Sequence, residues 1–394
     1  MKIALVCPAS LPATQFGGIM FLCVDIAKES SKQGHETIIF TTDLDFANNP
    51  KTFNKKLPRI ETFEKFKINR THTWFSFNLF FINPGIYFQI KKFHPDVIHS
   101  IGARSFQTLM AAFVSKKTKI PLIISDQGGL TTHPDLKNSG IIKNFLYSIQ
   151  KPMIKFIVNQ ATKISVANEY EKKIFETFCD STKINIIRNG IDLEIQNHPI
   201  DNFKKKYDIK NSFILFLGRF HTVKGIDILL KSIQLIKNHS EFVDVQLVIM
   251  GVDFGFQSKM IRMIEELKIS DKVIVIKNPP REDVLAAYKE SEFLVLPSRW
   301  ELSPLTPLEG FAFKKTVIST KSHGIPYTIN HGENGLLVES ENYKELAESI
   351  IHLLENKQKC VEFGLNGFNL VQNECNSKTM CEKTLDLYKK IINR

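Results

Sequence analysis

Two glutamates eight residues apart, Glu301 and Glu309, are the groups in this chain whose type and spacing best suit ligand chemistry. The apolar run Phe293–Leu296 directly precedes them and predicts a short parallel strand that is buried on both faces. Ligands of open α/β sheets bind beyond the carboxyl ends of such strands. Two carboxylates at this edge can accept hydrogen bonds from a hydroxyl-rich ligand. The alternative is one solvated acid and one acid favoured by a helix dipole.

The segment between the two glutamates predicts a helix start that can bind an anion. Pro304 and Pro307 lack amide hydrogens and restrict the residues before them, which excludes a regular helix through the segment. Glu309 is then expected in the first turns of the next helix. The backbone amides of Leu305 and Thr306 would point into the crevice, because the first amides of a helix have no partner within it. The segment therefore favours a phosphorylated, hydroxyl-rich ligand.

A second strand-to-helix turn carries two cations. The segment SFILFLGRFHTVKGIDILLKSI predicts a strand over residues 213–217 and an amphipathic helix from Ile226, with Arg219 and Lys224 on the turn between them. A guanidinium group makes bidentate contacts with phosphate, and an ammonium group acts as a point charge. Basic residues in loops are usually solvated, but two of them beside a helix N-terminus can bind a diphosphate. Together with the paired glutamates, this turn predicts a specific site.

The chain resembles the retaining glycosyltransferases of family four in segments that follow one another in order. They are KIALVCPAS with Gly17 and Gly18, IIRNGIDLE, FLGRFHTVKG, the E-x7-E segment and HGENGLLVES. The resemblance covers nearly the whole length. It implies the GT-B fold, in which two Rossmann-like, doubly wound parallel-sheet domains face each other across a cleft. It also implies an enzyme that moves a sugar from a nucleotide-diphosphate sugar to a glycan, lipid-linked or small-molecule acceptor, in cell-surface polysaccharide or glycolipid synthesis.

The resemblance implies a role for each candidate residue. Glu309 is expected to accept hydrogen bonds from the ribose hydroxyls of the donor, and Glu301 to contact the transferred sugar as a catalytic group. Gly17 and Gly18 let the backbone of the first domain approach the diphosphate, because glycine has no Cβ to clash. The two cations and the helix start can stabilise the leaving diphosphate. We therefore expect a metal-independent enzyme without a cofactor, whose nucleotide sugar is a co-substrate.

One position departs from the family pattern. The family usually has a histidine after the strand in PLIISDQGGLTTH, whereas this chain has Gln127 there, preceded by Asp126. A glutamine cannot act as a base, but it can hydrogen-bond a sugar hydroxyl. Retention by a front-face route, in which the leaving phosphate takes the acceptor proton, does not need the histidine. Asp126 and His133 are alternative contributors.

A D-x-D sequence is also present, at Asp43-Leu44-Asp45. In metal-dependent transferases such a pair of carboxylates holds a divalent cation. Here it follows the second predicted strand of the acceptor-side domain, so we interpret it as a loop and predict no metal site.

Alternation of strand and helix patterns predicts the domain organisation. An acceptor-side domain is expected over residues 1–195, a nucleotide-sugar-binding domain over 196–372, and a C-terminal helix over 373–394 that packs back onto the first domain in the family. The chain has 394 residues, 43% of them hydrophobic, which suits two globular domains. Strands are expected at residues 3–7, 37–41, 97–99, 122–125, 163–167, 183–187, 213–217, 245–250, 273–276, 293–296, 317–319 and 335–338.

The net charge of +11 lies mainly in the first half of the chain. Residues 1–196 contain 25 Lys and Arg against 16 Asp and Glu, and residues 197–394 contain 27 against 25. The basic half also contains the aromatic segment Trp74–Phe88, which is too short to span a bilayer. We favour a core helix for this segment, with a lipid-facing or acceptor-facing element as the alternative. The basic charge suits contact with an anionic membrane, contact with an acidic acceptor, or a plain solvated surface. No nucleic-acid-binding motif is present.

Cysteine usage and the N-terminus favour a cytoplasmic protein, on its own or peripheral on the inner face of the membrane. The six cysteines show no C-x-x-C pair, and MKIALVCPAS is too short for the core of a signal peptide. Two other function classes stay open. One is a GT-B enzyme that is not a transferase, such as an epimerase or a phosphorylase, and the other is a non-catalytic nucleotide-sugar-binding protein. The donor base, the sugar, the acceptor and the oligomeric state are not determined by the sequence.

Overall fold

The computed structural model describes residues 1–45, 52–77, 79–128, 130, 141–197 and 202–392, with the backbone alone for residues 141–149. The chain forms two units, Met1–Gly190 with Ser377–Arg394, and Ile191–Asn376. Each unit is built on one largely parallel sheet of buried apolar strands. These two sheets confirm the predicted fold class, a pair of Rossmann-like α/β domains.

The first unit contains an eight-stranded sheet in the order β10-β9-β8-β7-β1-β2-β4-β3, and a separate hairpin of β5 with β6. Only β3 runs antiparallel to its neighbour within the described part of the large sheet. The strands are β1 Lys2–Val6, β2 Glu36–Thr42, β3 Ile60–Phe63, β4 Phe66–Thr71, β5 Phe75–Phe77, β6 Phe80–Ile82, β7 Val97–Ile101, β8 Leu122–Ser125, β9 Lys163–Val166 and β10 Ile184–Ile186. The strand order reverses between β1 and β7, which places the carboxyl end of β1 at a switch point.

The second unit contains a six-stranded parallel sheet in the order β13-β12-β11-β14-β15-β16. Its strands are β11 Ser212–Leu217, β12 Val245–Gly251, β13 Val273–Lys277, β14 Leu294–Leu296, β15 Val317–Thr320 and β16 Gly335–Val338. The first and fourth strands of the unit are neighbours, because Leu215 pairs with Leu294. This is the dinucleotide-fold order, and ligands of such sheets bind where the order reverses.

Helices connect the strands in both units. They are α1 Gly18–Lys32, α2 Gly85–Phe93, α3 Phe106–Thr118, α4 Ile141–Gln160, α5 Glu169–Glu176, α6 Phe203–Lys206, α7 Ile226–Ile236, α8 Gln257–Glu266, α9 Arg281–Glu290, α10 Leu305–Ala312, α11 Tyr343–Glu355, α12 Lys357–Asn373 and α13 Ser377–Ile392. Ser105, Asn168 and Asn342 cap α3, α5 and α11 by accepting the amide three residues on. Across the described residues, no helix is long and apolar enough to cross a bilayer.

The last helix, α13, belongs to the first unit and packs against α1. Its buried face includes Met380, Leu385 and Tyr388. The Tyr388 hydroxyl lies 2.6 Å from Nδ1 of His99, which is fully buried on β7. Burial lowers the pKa of His99 to about 3, so the imidazole is neutral and serves as a hydrogen-bonding core residue.

The expected core helix over Trp74–Phe88 is wrong. Residues 75–77 and 80–82 form a hairpin, and α2 begins only at Gly85. Pro84 takes the N-cap position of α2, which limits the helix to its C-terminal side. All the predicted strands occur, whereas β3 to β6 were not predicted. Asn78, between β5 and β6, lies outside the described residues.

Candidate functional site

The switch point of the second unit brings together the two segments singled out in the sequence. Arg219 follows the carboxyl end of β11, and Lys224 ends a short 3-10 turn before α7. Glu301 follows the end of β14, the strand beside β11. The cations and the first carboxylate therefore lie at the same edge of the sheet.

Gly225 allows these two segments to touch. Its φ is +66°, and a Cβ at this position would lie 2.0 Å from the carbonyl oxygen of Pro297. Both the left-handed backbone and the close backbone approach require glycine. The turn that carries Lys224 is thus pressed against the end of β14.

Lys224 and Glu301 form an ion pair in this structure. The Lys224 ammonium group donates to Oε1 of Glu301, and the Ser298 hydroxyl donates to the same oxygen at 3.1 Å. Both charged side chains are mostly buried, with 18% and 17% of their surface exposed. A ligand phosphate that entered here would compete with the carboxylate for the Lys224 ammonium group.

The guanidinium group of Arg219 lies 5.1 Å from the centre of the Phe254 ring. This cation–π contact lays the planar group over the ring, while the residue as a whole is exposed. The ring limits the orientations of the guanidinium group at the mouth of the strand end. The exposed guanidinium group of Arg219 therefore lies near the carboxyl end of β11.

Glu309 lies in the second turn of α10 and is 8% exposed. Arg281 donates from Nη2 to its Oε1 at 2.5 Å, and the Tyr288 hydroxyl donates to its Oε2 at 2.7 Å. Burial, together with the charge of Glu309, raises the pKa of Tyr288, which keeps the phenol protonated as a donor. A carboxylate has about four acceptor positions, so two protein donors leave room for ligand hydroxyls.

The helix start between the glutamates has the expected form. Pro304 is the N-cap residue with extended backbone, and Leu305 and Thr306 are the first two residues of α10. Their amides belong to the first turn, which has no acceptor within its own helix.

Arg299 is a residue that the sequence reasoning missed. It contacts both oxygens of Asp227, at 2.7 and 2.9 Å, and also Glu341. It donates to the carbonyl of Thr222 at 2.6 Å, and its own amide donates to the carbonyl of Val223 at 2.7 Å. Burial alone would raise the pKa of Asp227, but the hydrogen bonds and charge of Arg299 lower it. Arg299 thus ties the Lys224 turn to the loop that carries Glu301.

In the first unit, Asp126 and Gln127 follow β8. Asp126 is buried, and its Oδ2 accepts the Leu130 amide at 2.7 Å. Gln127 has a positive φ of 71° and exchanges two hydrogen bonds with the Asn189 amide, at 3.1 and 3.0 Å. Its backbone amide faces Oε1 of Glu171 at 3.4 Å. Gln127 is therefore fixed on several sides, and Asp126 is turned toward backbone; His133 lies outside the described residues.

The glycine pair lies at the switch point of the first unit. Gly17 has φ +99° and immediately precedes α1, and Gly18 is the first residue of that helix. No atom lies within 4 Å of the position that a Cβ on Gly17 would take. The backbone conformation requires glycine, and the surface beside it is open.

The D-x-D sequence has structural contacts. Asp43 is buried, and its carboxylate contacts Nδ1 of His72 at 2.5 Å and accepts the Thr73 amide at 3.0 Å. Asp45 accepts the Asn54 side-chain amide at 2.9 Å. The Asp43 contacts connect the residue after β2 to the segment after β4, and the Asp45 contact stays within the loop between β2 and β3. Among the residues with described positions, no three His, Cys, Asp or Glu side chains form a group suited to a metal ion.

Two protein-family models match the chain. One, described as Glycosyltransferase Family 4, matches residues 16–195, and the other, described as Glycosyl transferases group 1, matches residues 199–370. An uncharacterized glycosyltransferase of Methanocaldococcus jannaschii is 28% identical over 279 residues, which are 69% of each chain. A capsular polysaccharide biosynthesis glycosyltransferase of Staphylococcus aureus is 25% identical over 262 residues, 63% of this chain and 66% of the relative. The chain spans about half the length of the mycobacterial D-inositol 3-phosphate glycosyltransferases that it also matches.

Solved structures share the fold. Sucrose-phosphate synthase from Thermosynechococcus elongatus has a TM-score of 0.77 at 16% identity, with 100% of both chains covered. The Anabaena protein HepE in complex with UDP-glucose has a TM-score of 0.74 at 16% identity, covering 99% of this chain and 100% of the other. These likenesses support the GT-B fold.

Tyr288→Phe is expected to destabilise the protein by about 1–3 kcal/mol, because it removes a donor from a buried carboxylate oxygen of Glu309. Urea unfolding of the variant and the wild type measures the change. Tyr343→Phe, which removes the same hydroxyl from a half-buried ring at the start of α11, is the matched control and should change stability by less than ~0.5 kcal/mol. Equal small effects of the two changes would contradict the importance of the Tyr288 contact.

Glu171 predicts a pH dependence of stability. Burial first, and then the charge of Asp126, raise its pKa from 4.5 to about 8, against the opposing hydrogen bond from the Ala167 amide. The folded protein therefore binds this proton more tightly than the unfolded chain does. The free energy of unfolding should fall as pH rises from about 4.5 through about 8.

Glu171→Gln cannot lose a proton and should abolish this fall. Urea unfolding over that pH range compares the variant with the wild type, and Glu176→Gln, on the exposed side of α5, is the control. The wild type should lose stability relative to Glu171→Gln with rising pH, while Glu176→Gln follows the wild type. Parallel curves for all three proteins would refute the raised pKa.

Proposed function

The chain belongs to the glycosyltransferases of group 1, and we propose that it moves a sugar, with retention of anomeric configuration, from a nucleotide-diphosphate sugar to a glycan or lipid-linked acceptor. The observation that supports this most directly is the switch-point arrangement of the second unit. The Lys224–Glu301 ion pair at the strand ends suits the phosphate and the sugar of a donor. Glu309, buried on the next helix, keeps acceptor positions that suit the ribose of the same donor. The fold is shared with a protein whose structure contains UDP-glucose.

The diphosphate occupies the positive end of the site in this proposal. Lys224 exchanges part of its contact with Glu301 for a phosphate oxygen, and Arg219 closes over the other phosphate from its position beside Phe254. The amides of Leu305 and Thr306 supply further donors at the start of α10. Positive groups fixed before the reaction stabilise the charge that develops on the leaving group.

Glu309 binds the ribose hydroxyls. Its two protein donors, Arg281 and Tyr288, orient the carboxylate so that the remaining acceptor positions are held in one direction. A fixed acceptor recognises a diol at a lower entropic cost than a freely rotating one. Arg281 and Tyr288 are positioning residues, since they act through Glu309.

Glu301 serves the transferred sugar. As the bond from the anomeric carbon to the phosphate breaks, positive charge develops on the sugar ring, and a nearby carboxylate stabilises that charge. Release of Lys224 toward the phosphate frees Oε1 of Glu301 for this contact. The departing phosphate takes the proton of the acceptor hydroxyl on the same face, which preserves the configuration.

The first unit supplies the acceptor side in this proposal. Gln127, fixed by its amide pair with Asn189, donates a hydrogen bond to a sugar hydroxyl, and Asp126 supports the loop that carries it. Gly17 and Gly18, at the start of α1, have no Cβ and so let the backbone there approach the diphosphate. A capsular polysaccharide enzyme among the relatives supports a role in cell-surface polysaccharide or glycolipid synthesis. Six free cysteines support a cytoplasmic location.

Loss of either cation should weaken donor binding. Arg219→Ala and Lys224→Ala each remove a charge-assisted hydrogen bond, which contributes about 1.5–3 kcal/mol. A thermal-shift screen against UDP-, GDP- and ADP-sugars identifies the donor, because a ligand at 100 times its Kd adds about 2.7 kcal/mol. Titration calorimetry then compares the donor Kd of each variant with that of the wild type. Lys231→Ala, an exposed lysine of α7, is the control. Unchanged affinity in both site variants would place the diphosphate elsewhere.

The two glutamates should differ in their kinetic effects. Glu309→Gln weakens contacts present in both ground and transition state, so it should mainly raise the donor KM. Glu301→Gln weakens an interaction that grows as charge develops, so it should lower kcat more than it raises KM. EDTA should leave the activity intact, because protein cations replace the metal. Effects on KM alone at both positions would rule out Glu301 in the chemical step, and loss of activity in EDTA would rule out the metal-free route.

A further inference from the structure

The hairpin of β5 and β6 in the first unit turns an apolar face to solvent. Phe75 pairs with Ile82 and Phe77 with Phe80, so these four side chains share one face of the two-stranded ribbon. Phe75 and Phe77 are 60% and 50% exposed, and Trp74, just before the ribbon, is 73% exposed. A ribbon with one solvated face normally places polar residues there. The exposed face of this hairpin is therefore adapted to something other than water.

The opposite face of the hairpin packs against the rest of the first unit. Phe81, on the opposite face, is fully buried in a cluster with Ala9, Ala13 and Leu44. The Gln107 side chain donates to the carbonyl of Phe81 and to the side chain of Asn83, both at 2.7 Å. The same Asp43 that was noted in the D-x-D sequence fixes the amide of Thr73, directly before Trp74. These contacts hold the backbone of the hairpin in place, so the exposed aromatic side chains project from a fixed position.

The helices α2 and α3 carry further exposed aromatic residues, and α3 contacts the hairpin. The Phe80 ring packs edge-on against Phe106, the first residue of α3, at 6.1 Å. Phe88 on α2 is 66% exposed. Tyr87, Phe113, Lys116 and Lys117 line a groove of about 450 Å³ where α2 and α3 meet. We call the hairpin, Phe88 and this groove the aromatic face.

The aromatic face lies in a basic stretch of the chain. Residues 65–125 contain nine Lys and Arg and a single acid, Asp96. The carboxylate of Asp96 accepts the backbone amide of Lys2 at 2.7 Å. Lys91 and Lys92 end α2, and Lys116 and Lys117 end α3, all four exposed. Four exposed lysines thus lie on α2 and α3, the helices that carry Phe88 and the groove, and Asp96 is the one acid in this stretch of sequence.

We propose that the aromatic face docks on an anionic lipid bilayer, with Trp74, Phe75, Phe77 and Phe88 entering the headgroup region and the lysines contacting lipid phosphates. Trp and Phe beside Lys is the composition that suits the membrane interface. Each lysine near an anionic surface adds a further attraction. The inference rests on this surface alone and is independent of the proposed transfer reaction.

A second copy of the chain fits the face less well. In a symmetric dimer each face meets its own copy, so the basic borders would oppose one another. Like charges across an interface disfavour association. A soluble acidic glycan would satisfy the lysines but would leave the row of exposed phenylalanines unexplained.

Vesicle binding of the full chain tests the proposal. Sedimentation with vesicles of phosphatidylcholine containing about 30 mol% phosphatidylglycerol should give at least about tenfold tighter binding than phosphatidylcholine alone. The double variant Trp74→Ala/Phe77→Ser should lose about tenfold in affinity, and Lys116→Glu/Lys117→Glu at least as much. Val361→Ser, an equally exposed apolar residue in the second unit, is the control and should bind as the wild type does.

Trp74 also gives a direct readout, because the other tryptophan, Trp300, is buried. Lipids brominated on their acyl chains should quench wild-type fluorescence more than that of Trp74→Phe. Circular dichroism and thermal midpoints confirm that each variant is folded. The proposal is overturned by absence of vesicle binding, or by binding that is unaffected when Trp74 and Phe77 are replaced. It is also overturned if wild-type protein dimerises in solution and Trp74→Ala/Phe77→Ser is monomeric.

Discussion

The contact between Gly225 and the carbonyl oxygen of Pro297 sets the geometry on which the candidate donor site depends. Because no side chain separates them, the turn after β11 and the loop after β14 meet at backbone distance, and Lys224 reaches Glu301. Arg299 reinforces the same junction from the outside by binding the carbonyl of Thr222 together with Asp227 and Glu341. The site is therefore assembled by contacts between two loops, and strand pairing between β11 and β14 brings those loops together.

Sequence reasoning could locate the parts of this site that follow strand ends. Lys224 and Glu301 lie within a few residues of apolar runs whose identity as parallel strands was clear, and parallel strands present their carboxyl ends at one edge. Arg281 and Tyr288 could not be found in this way. They approach Glu309 from α9, through the fold rather than along the chain, and nothing in their local sequence distinguishes them from ordinary helix residues. Arg299 could not be found for the same reason, since its partner Asp227 comes from α7 and its partner Glu341 from the turn before α11.

The hairpin shows a different limit of sequence patterns. A short run dense in aromatic residues has no clear period, so helix and strand cannot be separated by spacing alone. Apolar character also predicts burial, yet Trp74, Phe75 and Phe77 are exposed while Phe81 is enclosed. Only cross-strand pairing tells which residues share a face. The lipid-facing alternative considered for this segment gains its support from that pairing.

The placement of α13 has a consequence for the order in which the protein can fold during synthesis. Ile26 and His99 belong to the early part of the chain, but their partners Cys381 and Tyr388 are made after the whole second unit. Before α13 is made, the first unit therefore lacks the helix that packs against α1 and His99. All strands of the second unit have been made by then. Domains usually fold as units during synthesis, with the N-terminal one first. Here the first unit cannot be completed until α13 has been made, although most of its residues precede the second unit in the chain.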